Sequence, residues 1–325
     1  MERGHRIEVP PHGAVTLIDY MGSDEMVIGA ARMSTGRGFE GWEQGKICRK
    51  CRRRAEDIQT GIKEGDYGRA VGACGLSSTV GEPVHDMVET PGDLKLLADL
   101  YSGRGTGRSH ASPFGTAGAI HLEIQAPIFV FRQIHRHRTQ MVVEDDFEAE
   151  WNEFSARYAQ MPDLHWLPTP ERVQEQSKTN KQGSGEPLSR GAAESWIGRL
   201  QQEQESIYSN YDHSVGGLGI AKEIARANTP VSRYSKMRGM ATLRNWLLFL
   251  NLRLTPETQQ EDRDVANAVA EIVEALFPRT YALFLEWDLH GVKLSRSEVE
   301  SLRRIMRDHA YLPADQPLLK KLGYS

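Results

Sequence analysis

The stretch from Ala126 to Arg138, reading Ala-Pro-Ile-Phe-Val-Phe-Arg-Gln-Ile-His-Arg-His-Arg, constrains this chain more than any other. Its apolar lead-in predicts the start of a buried helix, and proline is tolerated in the first turn because its missing N–H has no partner there anyway. At helical spacing Ile128, Phe131 and Ile134 face one way, while Gln133, Arg136 and His137 share another face. A face with a permanent guanidinium beside two further donors suits a phosphate, a carboxylate or the polar edge of a planar ring. A lone run of charges is more often a solvated face. Here the apolar lead-in places the cluster at the end of a buried element.

A run of acids follows, with Glu144, Asp145, Asp146, Glu148 and Glu150, and then Asn152-Glu153-Phe154-Ser155-Ala156-Arg157-Tyr158. Ser155 invites comparison with a nucleophile, but the sequence shows no Ser–His–acid constellation around it. An unactivated serine is a weak nucleophile, so Ser155 reads as a binding residue.

At 325 residues the chain is long enough for a large core, and its net charge of −4 provides no global field to recruit nucleic acid or an anionic membrane. No run approaches a membrane span, and Met1-Glu2-Arg3-Gly4-His5 lacks the apolar core of a signal peptide. Three cysteines, an odd number, favour a reduced, cytoplasmic setting. Cys48-Arg49-Lys50-Cys51 is half a zinc ligand set that only Cys74 and His85 could complete, so an amphipathic helix with basic residues is preferred there. A metal site from His110, His135 and His137 would face repulsion from neighbouring arginines. A nucleic-acid site over Arg132–Arg138 lacks the accompanying aromatic pattern.

Along the chain, Ala14–Tyr20 reads as a buried strand, and Ser23 as the cap of a helix running through Ala31. Leu94–Tyr101 reads as a short helix, and the alternation of Ile120, Leu122 and Ile124 with His121, Glu123 and Gln125 as a half-buried strand. Gln174–Arg190 reads as a mobile loop and Ala192–Tyr211 as a helix. Leu218–Ala227 reads as a helix with Ile220, Ile224 and Ala225 inward, Ser232–Leu252 as one long helix, and Pro256–Asp288 as a final helix broken or kinked at Pro278.

Arg136-His137-Arg138 followed by Ser155-Ala156-Arg157-Tyr158, with Phe249-Leu250-Asn251-Leu252-Arg253 far downstream, resembles the signature of the flavin-dependent thymidylate synthases (ThyX). The departure is the spacer of residues 139 to 154, whose excess reads as an acidic insertion at about 140–148. The resemblance implies a single elaborated α+β domain over 1–325, an antiparallel sheet flanked by long helices. Its core would span 14–34 and 109–288, with an extra segment at 36–107 and a tail at 290–325. It also implies a homotetramer with shared active sites.

The chemistry implied is C5-methylation of a uracil nucleotide monophosphate with FAD, using methylenetetrahydrofolate as carbon donor and NADPH as reductant. The substrate would be dUMP, with appreciable activity on UMP; a dUMP-only synthase and a hydroxymethylase are the neighbouring alternatives. By the same resemblance Arg253 would stabilise the base as N3 ionises and C5 becomes electron-rich. Gln133, Arg136, Glu153, Ser155, Ala156, Arg157 and Arg226 would hold the nucleotide with Arg253. Ser34, His110, Ser112, Arg136, His137, Arg138, Thr139, Glu153 and Arg244 would hold the flavin. Thr242 and Leu248 stand where the family usually has polar flavin contacts, which puts a hydrogen bond at Leu248 in doubt. No cysteine lies in a motif, which argues against the cysteine-nucleophile route of the other thymidylate synthase class.

Overall fold

The computed structural model describes residues 1–48, 53–64, 87–103, 111–137, 151–181 and 183–308. In chain order its strands are β1 (Arg6–Val9), β2 (Gly13–Gly22), β3 (Gly45–Cys48), β4 (Met87–Thr90), β5 (Gly118–Pro127), β6 (Asn152–Glu153), β7 (Gln174–Gln176), β8 (Ser184–Pro187) and β9 (Tyr234–Thr242). The helices are α1 (Asp24–Arg32), α2 (Ala55–Glu64), α3 (Asp93–Ser102), α4 (Ala111–Thr116), α5 (Ile128–Ile134), α6 (Arg190–Asp212), α7 (Lys222–Ala225), α8 (Leu243–Arg253), α9 (Gln260–Leu276), α10 (Pro278–Phe284) and α11 (Arg296–Asp308). The chain forms two compact units, Met1–Phe284 and Leu285–Ser325. Within its described part, the second holds a π-helical turn at Leu285–Leu289 and α11.

The first unit is built on an antiparallel sheet in the order β1-β2-β5-β9-β6. Period-two alternation decides its faces. Leu17, Ile120, Leu122, Ile124, Met237 and Ala241 are buried, whereas Asp19, Met21, Lys236, Arg238 and Met240 are exposed. On the open side Glu123 accepts from Arg238 Nε at 2.7 Å. Beneath the sheet Trp246 and Phe249 of α8 are fully buried, and the Trp246 indole N–H donates to the Ile120 carbonyl at 3.0 Å. Gly239 is required on β9 because a Cβ there would come 2.4 Å from the Trp151 ring. That ring meets Trp246 edge-on at 6.1 Å.

Helix ends are fixed by identifiable groups. Ser23 Oγ accepts from Met26 N at the start of α1, and Pro127 precedes α5. Asp24 accepts from the backbone N–H groups of Arg279 and Thr280 and from the Thr280 hydroxyl, tying α1 to the N-terminus of α10. Arg32, at the other end of α1, is flanked by Glu40 and Asp93, with Asp93 completely buried.

Five expectations are corrected. Ser232–Leu252 is strand β9 followed by helix α8, because the alternation of exposed Lys236, Arg238 and Met240 with buried Met237 and Ala241 outweighs the helix propensity of those residue types. The Gln174–Arg190 stretch is not a structureless loop, since β7 pairs with β8 through backbone bonds. Leu218–Ala227 contains only the four-residue α7, and Ile220 and Ile224 are exposed instead of facing inward. The final helical stretch opens at Gln260 and not at Pro256, while the expected break at Pro278 is present, with proline in the first turn of α10. Cys48 is buried at the end of β3 and not on a helix, and α2 begins only at Ala55. Cys51, Cys74, His85 and the acidic insertion lie outside the described residues.

Candidate active site

Each motif ends where the topology can use it. The lead-in helix α5 leaves the end of β5 directly, and its first two N–H groups donate to the Arg233 and Val231 carbonyls before β9. Gln133 and Arg136 therefore come off an anchored turn, and both are exposed. On α8, Phe249 and Arg253 are four residues apart and share a face. That face meets the end of the basic motif.

Arg253 is mostly buried, and its Nη2 donates to the Gln133 carbonyl at 2.6 Å. Its Nη1 lies 3.1 Å from Asp262 Oδ2 on α9. Neither Asp262 oxygen accepts a well-aligned hydrogen bond, and Arg253 Nε is buried without a partner. Burial pushes the Asp262 carboxyl up to about 6, against the pull of Arg253. His137 is buried with its ring edge-on to Phe249 at 5.4 Å. Burial, and then the Arg253 charge, lower it to about 4. His137 is thus a neutral imidazole at working pH, a donor at one nitrogen and an acceptor at the other.

The second half of the motif forms a separate turn. Glu153 on β6 pairs opposite Met237 of β9 and accepts from Ser235 Oγ at 2.9 Å. Ser155 Oγ accepts from Arg157 N, and its carbonyl accepts from Tyr158 N and Ala159 N, so Ser155 opens a tight turn. Ala156 is packed with Met161 and Tyr211. Arg157 lies 3.6 Å from Glu223 on α7, one turn before Arg226, which begins a 3-10 turn.

The structure therefore brings Gln133, His137 and Arg253 together, and groups Glu153, Ser155, Ala156 and Arg157 with the Arg226 segment. Ser34, in an exposed turn after α1, and Arg244, exposed on α8, make no side-chain hydrogen bond or ion pair among the described residues. Thr242 is a helix cap, accepting from Asn245 N, and Leu248 is partly exposed on α8. His110, Arg138 and Thr139 lie outside the described residues, as does the side chain of Ser112. Among the described residues no cluster of metal-ligating side chains occurs, and no helix is long and apolar enough to cross a membrane.

Sequence reasoning missed Asp262, Arg233 and His165. Asp262 carries no motif signal beyond its place in the first turn of α9. Arg233 was hidden by the misread helix. A groove of about 400 Å³ between Val9, Trp166, Tyr234 and Glu261 contains none of the predicted site residues.

The sequence profile described as "Thymidylate synthase complementing protein" matches residues 16–279. A flavin-dependent thymidylate synthase of Anaplasma marginale is 30% identical over 301 residues, 93% of this chain and 81% of that protein. One from Thermus thermophilus is 31% identical over 311 residues, 96% of this chain and 90% of that protein. The solved structure of the UMP/dUMP methylase PolB from Streptomyces cacaoi, bound with 5-Br UMP, shares the fold. Its TM-score is 0.60 at 23% identity, covering 87% of this chain and 99% of that one. The fold and these relatives define a flavin-dependent methyltransferase. The chain belongs to the family of flavin-dependent thymidylate synthases.

The residues present fit a flavin dinucleotide. A pyrophosphate requires cations that are not already neutralised, and Arg136 and Arg244 are exposed guanidiniums with no ion pair among the described residues. The neutral, ring-packed His137 offers a fixed donor rather than a mobile charge.

Proposed function

We propose that this protein methylates C5 of a uracil nucleotide monophosphate, with FAD, methylenetetrahydrofolate as carbon donor and NADPH as reductant. The substrate is dUMP, with appreciable activity on UMP, and the working form is a homotetramer with shared active sites. The observation that carries the reading is Arg253, held between the Gln133 carbonyl and Asp262 beside neutral His137. Bound FAD supplies the hydride chemistry that no side chain can provide.

The chain's own residues do the rest. Arg253 presents a cationic, planar donor fork, the group needed where negative charge develops on the base. Its two anchors fix that fork before substrate arrives, so little reorganisation is needed in the transition state. Gln133 and Arg136 orient the nucleotide, and Ser155, Arg157 and Arg226 clamp its phosphate and sugar. His137 and Arg244, with Arg138, Thr139, His110, Ser112 and Ser34, hold the flavin. Glu153, fixed by Ser235, serves both ligands.

The deciding measurement is the ratio of catalytic efficiencies for dUMP and UMP with methylenetetrahydrofolate and NADPH. A site that merely tolerates the 2′-hydroxyl discriminates weakly, whereas one built to exclude it rejects UMP by about a thousandfold or more. Turnover of both nucleotides within that limit is expected. Turnover of dUMP alone returns the protein to ordinary thymidylate synthesis, and turnover of neither overturns the reading. The PolB structures, solved with 5-Br UMP and with 5-Br dUMP, favour testing both.

A further inference from the structure

A buried cation stands beside the Glu153–Arg226 group with no carboxylate at ion-pairing distance among the described residues. Arg233, immediately before β9, is 5% exposed, and its Nε is buried with no hydrogen-bond partner. Its Nη1 makes one long contact, 3.4 Å, to the Tyr234 carbonyl. Among the described residues no carboxylate lies within ion-pairing distance of it. The backbone there is over-determined: the Arg233 carbonyl accepts from Ile128 N at 3.0 Å, and Arg233 bridges His165 in antiparallel fashion. The guanidinium is therefore not a loose surface group that happens to be covered.

Burying a guanidinium without an anion is costly, and a fold retains it where something else supplies the charge. Burial holds the Arg233 pKa below its usual value; among its neighbours Glu153 and Tyr211 act by charge to raise it and Arg226 to lower it. Glu153 already accepts at 2.9 Å from the hydroxyl of Ser235, which lies on β9 two residues after Arg233. Arg226 adds a second cation, and like charges disfavour one another unless an anion lies between them. His165 completes the surroundings: both ring nitrogens are buried without a hydrogen bond, and Nε2 lies 3.6 Å from Asp163 Oδ1. Burial, with the Arg233 charge adding to it, lowers the His165 pKa against the pull of Asp163. A neutral histidine can donate to an anion without competing for charge.

We propose that Arg233 is a further substrate-binding residue that, with Arg226, receives the 5′-phosphate of the nucleotide. This rests on the proposed function and deepens it, since it makes the monophosphate dianion the group the site is charged to recognise. Its two cations, one buried, pull harder on a dianion than on the uncharged nucleoside.

The test is calorimetric titration of the flavin-loaded enzyme, wild type, Arg233→Gln and Arg233→Lys, with dUMP, 2′-deoxyuridine and inorganic phosphate. Arg233→Gln is expected to weaken dUMP by on the order of 30–100-fold, the lower end of the range for truncating one partner of a buried charge contact. Deoxyuridine, lacking the phosphate, should change by less than about threefold, and Arg233→Lys should recover part of the dUMP loss. Equal weakening of nucleotide and nucleoside, or no weakening of either, overturns the assignment. If Arg233→Gln does not fold, the lysine variant decides: phosphate binding unchanged from wild type overturns the proposal, and binding weakened several-fold supports it. Failure of wild type to bind dUMP while phosphate binding still depends on Arg233 sinks the nucleotide reading and leaves the anion site standing.

Discussion

Arg253 Nη1 lies 3.1 Å from Asp262 Oδ2, an ion pair in which the carboxylate is 1% exposed and accepts no aligned hydrogen bond. The acid therefore acts on the arginine through charge and position. Replacing Asp262 with Asn should leave Arg253 less firmly held and lower kcat between about tenfold and a hundredfold, the cost of misplacing a catalytic group by an ångström or so. An acidic limb near pH 6 in the wild-type rate profile should disappear in the variant. A variant with unchanged kcat and the same limb would remove Asp262 from the site.

The same neighbourhood predicts two opposing pH dependences of stability. Asp262 is raised from 3.8 to about 6, so the folded state binds more protons between those values and stability falls as pH rises through them. His137 is lowered from 6.5 to about 4, so the unfolded state binds more protons there and stability rises with pH, being lost as pH falls through the window. Each contribution is about 3 kcal/mol at most, taking 1.36 kcal/mol for each unit. Urea midpoints from pH 4 to 7 should rise more steeply with pH in Asp262→Asn than in wild type. They should fall with pH, relative to wild type, in His137→Gln. Parallel curves for all three proteins would contradict the buried-pair geometry.

Arg253→Lys should separate activation of the base from flavin reduction. Lysine keeps one charge but loses the planar fork, and turnover should fall by on the order of a hundredfold. NADPH oxidation without nucleotide should persist. Retained turnover, or equal loss of both reactions, would assign the base-activating role elsewhere.

Replacing His137 and Arg138 together with Ala should strip the flavin from the purified protein while the fold survives. The readout is absorbance of bound flavin per chain alongside far-ultraviolet circular dichroism. Full flavin retention with native dichroism would place the cofactor on other residues.

Trp246→Ala should cost about 3–5 kcal/mol, the range for deleting a large buried aromatic. The residue is fully buried, donates to Ile120, and packs edge-on to Phe249 and Trp151. A urea midpoint within error of wild type, at equal protein concentration, would contradict that packing.

The elements legible in the sequence were those whose local rule and tertiary setting agree. β2 is the buried strand its apolar run predicts, β5 alternates as a half-buried strand should, Ser23 caps α1, and Pro127 opens α5. β9 was misread because Lys, Met, Arg and Ala favour helices, and its strand identity comes from pairing with β5 on one side and β6 on the other. The Gln174–Pro187 hairpin has little β propensity and exists through its backbone bonds. At the candidate site, Arg253 and His137 are residues that sequence motifs mark. Asp262 and Arg233 are not, because a buried charge is defined by what surrounds it across the chain, and neither its identity nor its spacing carries that information.

The bond that seats Arg253 runs to the main-chain oxygen of residue 133, not to its side chain. Every amino acid presents that oxygen, so the side chain at this position can be exchanged without unseating the arginine. Residue 133 is thereby freed as a tuning position: an engineer, or descent with modification, can exchange its exposed side chain while Arg253 stays put.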